Sequence, residues 1–161
     1  MLFQHSIELE CPPDALVEKM MSPRLFVHVS WPLLQFKSVD PATAPERWVE
    51  RTYVVRLWLF GLLPLGIHNI VLTCRDRSSE MGKFWFELRD NGYSKSIPKW
   101  DHTMTVRKNS TGCSYTDSVE IKAGIVTPII WAFASVLYRY RQRRLKRLVQ
   151  NGFVFPALFG K

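Results

Sequence analysis

The sequence predicts a single α+β domain, residues 1–161, in which a curved antiparallel sheet of about seven strands closes on a long C-terminal helix, with two short helices after the first strand. Three observations predict it. Strand-like alternation opens the chain and returns in a series of runs between Leu33 and Lys122. One long helical block follows, from Thr127 to about Gln150. The helical segments stand apart from the strand runs instead of alternating with them, which is the mark of α+β packing. With 161 residues, 47% hydrophobic and 22% charged, the chain is long enough to bury one core without cross-links.

Residues 2–10 alternate strictly, with Phe3, His5, Ile7 and Leu9 on one side and Gln4, Ser6, Glu8 and Glu10 on the other, as a half-buried strand requires. Pro12-Pro13-Asp14 stops that strand and starts a short helix carrying Ala15, Leu16, Met20 and Met21, and a second short helix is expected from Pro23. A brief strand through Phe36 and Val39 ends at the Asp40-Pro41 breaker and a polar, proline-containing loop. Residues 47–60 form a longer strand, with Val49, Tyr53, Val55, Leu57 and Leu59 inward by parity. Gly61-Leu62-Leu63-Pro64-Leu65-Gly66 reads as a connection. Its apolar content suits a segment that packs under something or forms a pocket rim. Residues 67–77, 82–90, 99–108 and 113–122 read as four more strands, separated by Ser, Asn and Gly clusters. The final helix carries Ile130, Ala134, Leu137, Leu145 and Leu148 on one stripe, with Gly152 at its C-terminal cap. The apolar tail, residues 153–161, is expected to dock on the body or to make an oligomer contact; monomer and homodimer both stay open.

Composition narrows the function classes. Cys11, Cys74 and Cys113 are odd in number, widely spaced and lack a C-x-x-C pair, so neither a disulfide framework nor a zinc site is indicated and a reducing compartment fits. The N-terminus has no basic region followed by an apolar one and does not read as a signal peptide, so cytoplasmic residence is expected. The longest apolar stretch, residues 125–138, falls short of the roughly 20 residues of a membrane-spanning helix. Of the net charge of +8, much is local, because six basic residues fall between Arg139 and Arg147. Arg139, Arg143, Lys146 and Arg147 lie off the apolar stripe, where a solvated face accounts for them. Beside the apolar loop at 62–65, the same face leaves open a peripheral contact with anionic membrane. Nucleic acid is not expected, since the basic residues cluster on one helix without interleaved aromatics.

The chemistry-bearing residues concentrate on two strands. Those carrying His102 and Asp117 flank the turn Asn109-Ser110-Thr111-Gly112, and antiparallel partners have residue numbers of constant sum. A two-residue loop gives a sum of 219 and sets His102 opposite Asp117; a four-residue loop gives 221 and makes them diagonal neighbours. A carboxylate bonded to one imidazole nitrogen raises the basicity of the other, which suits a general base. The simpler reading is a self-satisfying polar pair that sets register. Trp100, Met104, Val106, Tyr115, Val119 and Ile121 share its parity, so the pair sits in an apolar wall of the kind that lines a small-molecule site. His5, His68 and His102 fall on inward parities but have no ligand spacing, so no metal is expected. Arg141 falls near the centre of the apolar stripe and either snorkels out or enters the cavity mouth. There it would anchor an acidic ligand group or pair with Asp117.

The order of elements resembles the helix-grip fold of the START and Bet v 1-like (SRPBCC) superfamily. Two stretches sharpen the resemblance. Trp100-Asp101-His102 leads through a strand to Gly112 and then Tyr115-Thr116-Asp117-Ser118-Val119-Glu120, which is similar to a pattern of the bacterial polyketide cyclase/dehydrase-like branch. The second is the segment from Phe60 to Gly66 followed by His68. The resemblance implies a deep hydrophobic cavity between sheet and helix. The expected function is therefore binding, transport or sequestration of a small hydrophobic molecule, lipid, sterol or polyketide-like, without a cofactor. Trp100, Tyr115, Phe84 and Phe86 would supply apolar contact, Met104, Tyr53, Leu57 and His68 further wall, and His102 and Asp117 would orient the polar end. The alternative is a cyclase or dehydratase in which His102 and Asp117 act as an acid/base pair.

Overall fold

The computed structural model describes residues 1–40 and 45–156. In chain order the elements are β1 (Leu2–Leu9), α1 (Pro13–Met20), α2 (Pro23–Ser30), β2 (Leu34–Ser38), β3 (Thr52–Leu59), β4 (Leu63–Asp76), α3 (Ser78–Met81), β5 (Trp85–Gly92), β6 (Lys99–Lys108), β7 (Cys113–Lys122) and α4 (Thr127–Gln150). The strands form one antiparallel sheet in the order β1-β7-β6-β5-β4-β3-β2. The interruption after β1 places β1 at one edge beside β7, and the next strand to form, β2, at the other. Both helices α1 and α2 therefore cross the sheet's inner side, and α4 packs on β1, β7 and α2. This is the expected helix-grip α+β architecture.

Local chemistry explains the element boundaries. Pro13 and Pro23 stand in the first turns of α1 and α2, where their missing N–H is unneeded. Ser22 caps α2 by accepting the Arg24 N–H. α4 ends at Gln150, and Gly152 follows with φ of 62°, which lets the Phe153 N–H reach back to the Leu148 carbonyl. Gly112 permits a close approach of backbone to backbone: a Cβ there would stand 2.4 Å from the Leu9 carbonyl oxygen and 2.8 Å from the Cys11 nitrogen. The last turn before β7 thus lies directly on the end of β1.

Three expectations needed correction. Residues before Thr52 do not extend β3, because the Trp48 N–H is bonded to the Met21 carbonyl at the end of α1. Trp48 is consequently a core residue, set edge-on to Tyr53 at 4.8 Å and to Phe26 at 6.0 Å, whereas Val49, expected inward, is exposed. The apolar segment 61–66 is mostly strand. Phe60 and Gly61, with φ of 52° and 72°, are the central residues of a turn closed by the Leu62 N–H on the Leu59 carbonyl, and residues 60–62 join Leu59 to its partner Leu63. β4 begins at Leu63, and a bulge at Leu57/Trp58 absorbs the mismatch of register. Finally, Gly82 does not open β5 but ends the short helix α3 in the left-handed conformation, so β5 runs from Trp85 to Gly92. The tail docks as far as it is described: Phe155 meets His28 edge-on at 5.4 Å and lies under the Arg24 guanidinium at 4.7 Å. The rest of the tail, and part of the loop after Asp40, lie outside the described residues. No helix among the described residues is long and apolar enough to cross a membrane.

Candidate functional site: a cavity with a charged inner end

Sheet and α4 do not pack flush. A cavity of about 450 Å³ separates them, walled by Leu57, Leu59, Leu65 and Ile67 from the β3–β4 hairpin, by Ile97 and Trp100 before and at the start of β6, and by Ile129, Ile130, Phe133 and Leu137 from α4. Its size falls within the roughly 300–1,000 Å³ of small-molecule sites. Further in, Asp90, His102, Tyr138 and Arg141 reach its wall. A recess of about 40 Å³ shares Asp90, His102 and Arg141 with the cavity and adds Met104, Tyr115, Asp117 and Gln142. The rim is apolar and open: of the lining residues, Leu65 on the hairpin and Ile129 in the first turn of α4 are exposed, and exposed Leu62, Leu63 and Ile125 are close to them in sequence.

Behind the wall lies a closed polar network. β6 and β7 pair with a sum of 221, so Met104 faces Asp117 and His102 is its diagonal neighbour. The four-residue turn thus decided between the two registers. Asp117, 1% exposed, accepts from His102 Nε2 at 2.6 Å and Tyr115 Oη at 2.9 Å on one oxygen, and from Gln142 Nε2 at 2.8 Å on the other. An ionised carboxylate only accepts, so the His102 proton sits on Nε2. Gln142 also donates to the His5 carbonyl and its Oε1 meets His5 Nδ1, which ties β1, β7 and α4 together. Burial alone would raise the Asp117 carboxyl, but the hydrogen bonds from His102 and Tyr115 and the Arg141 charge outweigh it and hold it below its ordinary value. Burial also dominates at His102 and keeps the imidazole below its ordinary pKa despite Asp117. The pair is therefore a carboxylate and a neutral imidazole.

Two further polar groups face the cavity. Asp90 is buried and accepts the Val71 N–H at 2.9 Å; burial pushes its carboxyl up to about 7, opposed by that bond and by the Arg141 charge. His68 is buried beside it, and burial pushes its imidazole down to about 4. Gly92 makes room for both, since a Cβ there would stand 2.6 Å from His68 Nε2 and 3.0 Å from Asp90 Oδ1. Arg141, only 7% exposed, has its Cζ over the rings of Phe26 and Tyr138, 5.1 and 5.2 Å from their centres. Among the described residues no carboxylate comes within 4.0 Å of it. Of the two roles open to Arg141, the pairing with Asp117 does not form: the Asp117 oxygens accept from His102, Tyr115 and Gln142.

The candidate site residues thus divide. Trp100, His102, His68, Leu57 and Arg141 meet at the cavity, with the Trp100 indole N–H held by Tyr138 Oη at 3.1 Å. Met104, Tyr115 and Asp117 line the inner recess. Tyr53 is packed against Trp48 in the core, and Phe84 and Phe86 lie at the far end of β5, against that core. None of these three is on the cavity wall. Phe84 instead borders a broad solvent-facing hollow near Pro13 and Gly112. His5, His68 and His102 hold separate partners or positions and do not converge. The basic side chains Arg139, Arg143, Lys146 and Arg147 are exposed as expected. They lie well along α4 from the apolar rim, roughly 20 Å from Ile129 to Arg143 at 1.5 Å per residue. Gln142 and Asp90 escaped the sequence reading, although each had a signal: Gln142 is four residues after Tyr138 on the buried stripe, and Asp90 shares the parity of Leu88.

Residues 8–149 match the family model described as Domain of unknown function (DUF8410). The chain belongs to the DUF8410 family. Among curated proteins no sequence match was found. Solved structures show the fold: a Mesorhizobium loti protein is similar with a TM-score of 0.65 at 10% identity, over 94% of this chain and 98% of that one. A START superfamily protein from Mycobacterium smegmatis has a TM-score of 0.56 at 9% identity, covering 93% and 97%. Ara h 8.0201 has a TM-score of 0.50 at 10% identity, covering 90% and 97%. This DUF8410 domain therefore has the helix-grip fold of the START and Bet v 1-like superfamily.

Proposed function

We propose that this DUF8410 protein binds a small hydrophobic molecule in the cavity between sheet and α4, as a carrier or sequestering protein. The observation that carries the reading is the cavity itself. About 450 Å³ walled by Leu57, Leu59, Ile67, Ile130 and Phe133 is a volume that close packing of these side chains would otherwise eliminate. A few convergent polar groups at one end and an apolar rim at the other suit a ligand that is mostly hydrocarbon and exchanges through the rim. Native mass spectrometry of protein purified from cells, before and after denaturing extraction, tests this: a retained lipid-like or aromatic species is the expected result. Failure of such molecules to bind the emptied protein refutes it.

A second reading, acid/base catalysis on a carbonyl-bearing polyketide-like substrate, draws support from the place of His102 on the cavity wall. Against it, the Asp117 carboxylate already serves three donors. Turnover of polyketide mimics that is abolished in His102→Ala would favour it over simple binding.

A further inference from the structure

We infer that the ligand of this cavity is an acid, an amphipath whose carboxylate or similar anionic head is received by Arg141 at the inner end while its tail runs back toward the rim. The inference rests on the binding reading above and adds the chemical class and the direction of the ligand.

Arg141 is the one Lys or Arg among the described residues lining the cavity or its recess. A guanidinium does not give up its proton, so this charge is permanent. Its Cζ stands over the rings of Phe26 and Tyr138, and aromatic rings offer no acceptor equal to an oxygen, so the N–H donors are the groups still to be matched. The protein does not match them: among the described residues no hydrogen bond or ion pair reaches them. The nearby acids are otherwise engaged. Asp117 serves His102, Tyr115 and Gln142, and Asp90 accepts the Val71 N–H and keeps its proton to about pH 7. His68 and His102 are both held toward the neutral form by burial. A buried cation without a bonded counter-ion is costly, and an anion brought by the ligand removes that cost with bidentate geometry available to a planar acid.

Position supplies the direction. Arg141 stands eleven residues beyond Ile130 on α4, about 16 Å along the helix at 1.5 Å per residue. The intervening wall is mostly apolar, with Phe133 and Leu137 from α4 and Leu57 and Ile67 from the sheet, and its uncharged polar members include Ser94, Ser96 and His68. A head at Arg141 therefore leaves a tail that can lie only along this wall.

The test titrates the full chain, emptied of bound lipid, with three probes: a long-chain saturated fatty acid, its methyl ester and acetate. The expected result is that the acid binds about 10- to 100-fold more tightly than the ester, the size of a charge-assisted hydrogen-bond contribution. Arg141→Met should bring acid affinity down to that of the ester and leave the ester unchanged. The comparison of acid with ester on the unaltered protein stands even if that variant folds poorly. Equal affinity for acid and ester overturns the inference while leaving hydrophobic binding intact. Acetate binding as tightly as the long acid overturns it in favour of a free small anion. Binding of none of the three overturns it together with the reading it rests on.

Discussion

Replacing Asp117 by Asn separates a structural from a catalytic role for the His102 pair. Asn keeps the shape of the side chain and one acceptor oxygen, which can still serve His102 Nε2 and Tyr115 Oη. Its new amide group, however, replaces the Asp117 oxygen that accepts from Gln142 Nε2 at 2.8 Å, so two N–H donors face each other. Gln142 cannot turn over to restore the match without losing both of its contacts to His5. One charge-assisted bond is lost, worth about 1.5–3 kcal/mol, and two others become neutral and weaken. Relief of the buried carboxylate's desolvation offsets part of this, and the net cost should be about 3 kcal/mol. For a chain of this size that is a fall in Tm of about 6–12 °C. Thermal and urea unfolding would measure it. Asp101→Asn is the control: its bidentate contact to the half-exposed Arg89 is a surface pair, worth under about 1 kcal/mol. An Asp117→Asn variant as stable as the unaltered protein, or one more stable, would refute the claim that this network fastens β1, β7 and α4.

Asp90→Asn tests the cavity's acid. Asp90 titrates near 7 in the fold against an ordinary 3.8, so the native state holds the extra proton and stability falls as pH rises between those values. The variant's advantage should therefore widen by roughly 4 kcal/mol between pH 4 and pH 8, and a constant advantage across that range would contradict it. His68, held neutral down to about 4, acts with the opposite sign: its contribution is present above about 6.5 and is lost as pH falls, so stability of the Asp90 variant should rise with pH. Gly112→Ala should cost about 3 kcal/mol in urea unfolding, from a left-handed φ of 149° and a Cβ driven into the Leu9 carbonyl. Thiol labelling of the native protein should be fast at no more than Cys74. Cys11 and Cys113 are buried with their sulfurs 3.9 Å apart, and burial pushes Cys113 up to about 12; intact mass should show all three labelled only after unfolding.

Much of this architecture was legible in the sequence because it rests on local period and turn chemistry. The limits of β6, β7 and α4 were read to the residue, since strict alternation, the Asn109–Gly112 turn and an uninterrupted helical stripe are all short-range signals. The His102–Asp117 contact followed from parity alone. What parity could not supply was the choice between two registers, the fate of Trp48, or which wall each inward residue meets. Trp48 is buried because its N–H is bonded to the end of α1, a contact across the chain that no local pattern encodes. Phe86 on β5 and Phe84 just before it pack against the main core and stay off the cavity wall, a placement that parity does not encode. The meeting of Arg141 from α4, Asp90 from β5 and His68 from β4 at one end of a cavity is likewise a property of the assembled layers. Period determines which face a side chain takes, and only the packing of sheet on helix decides what stands opposite it and how much space remains between.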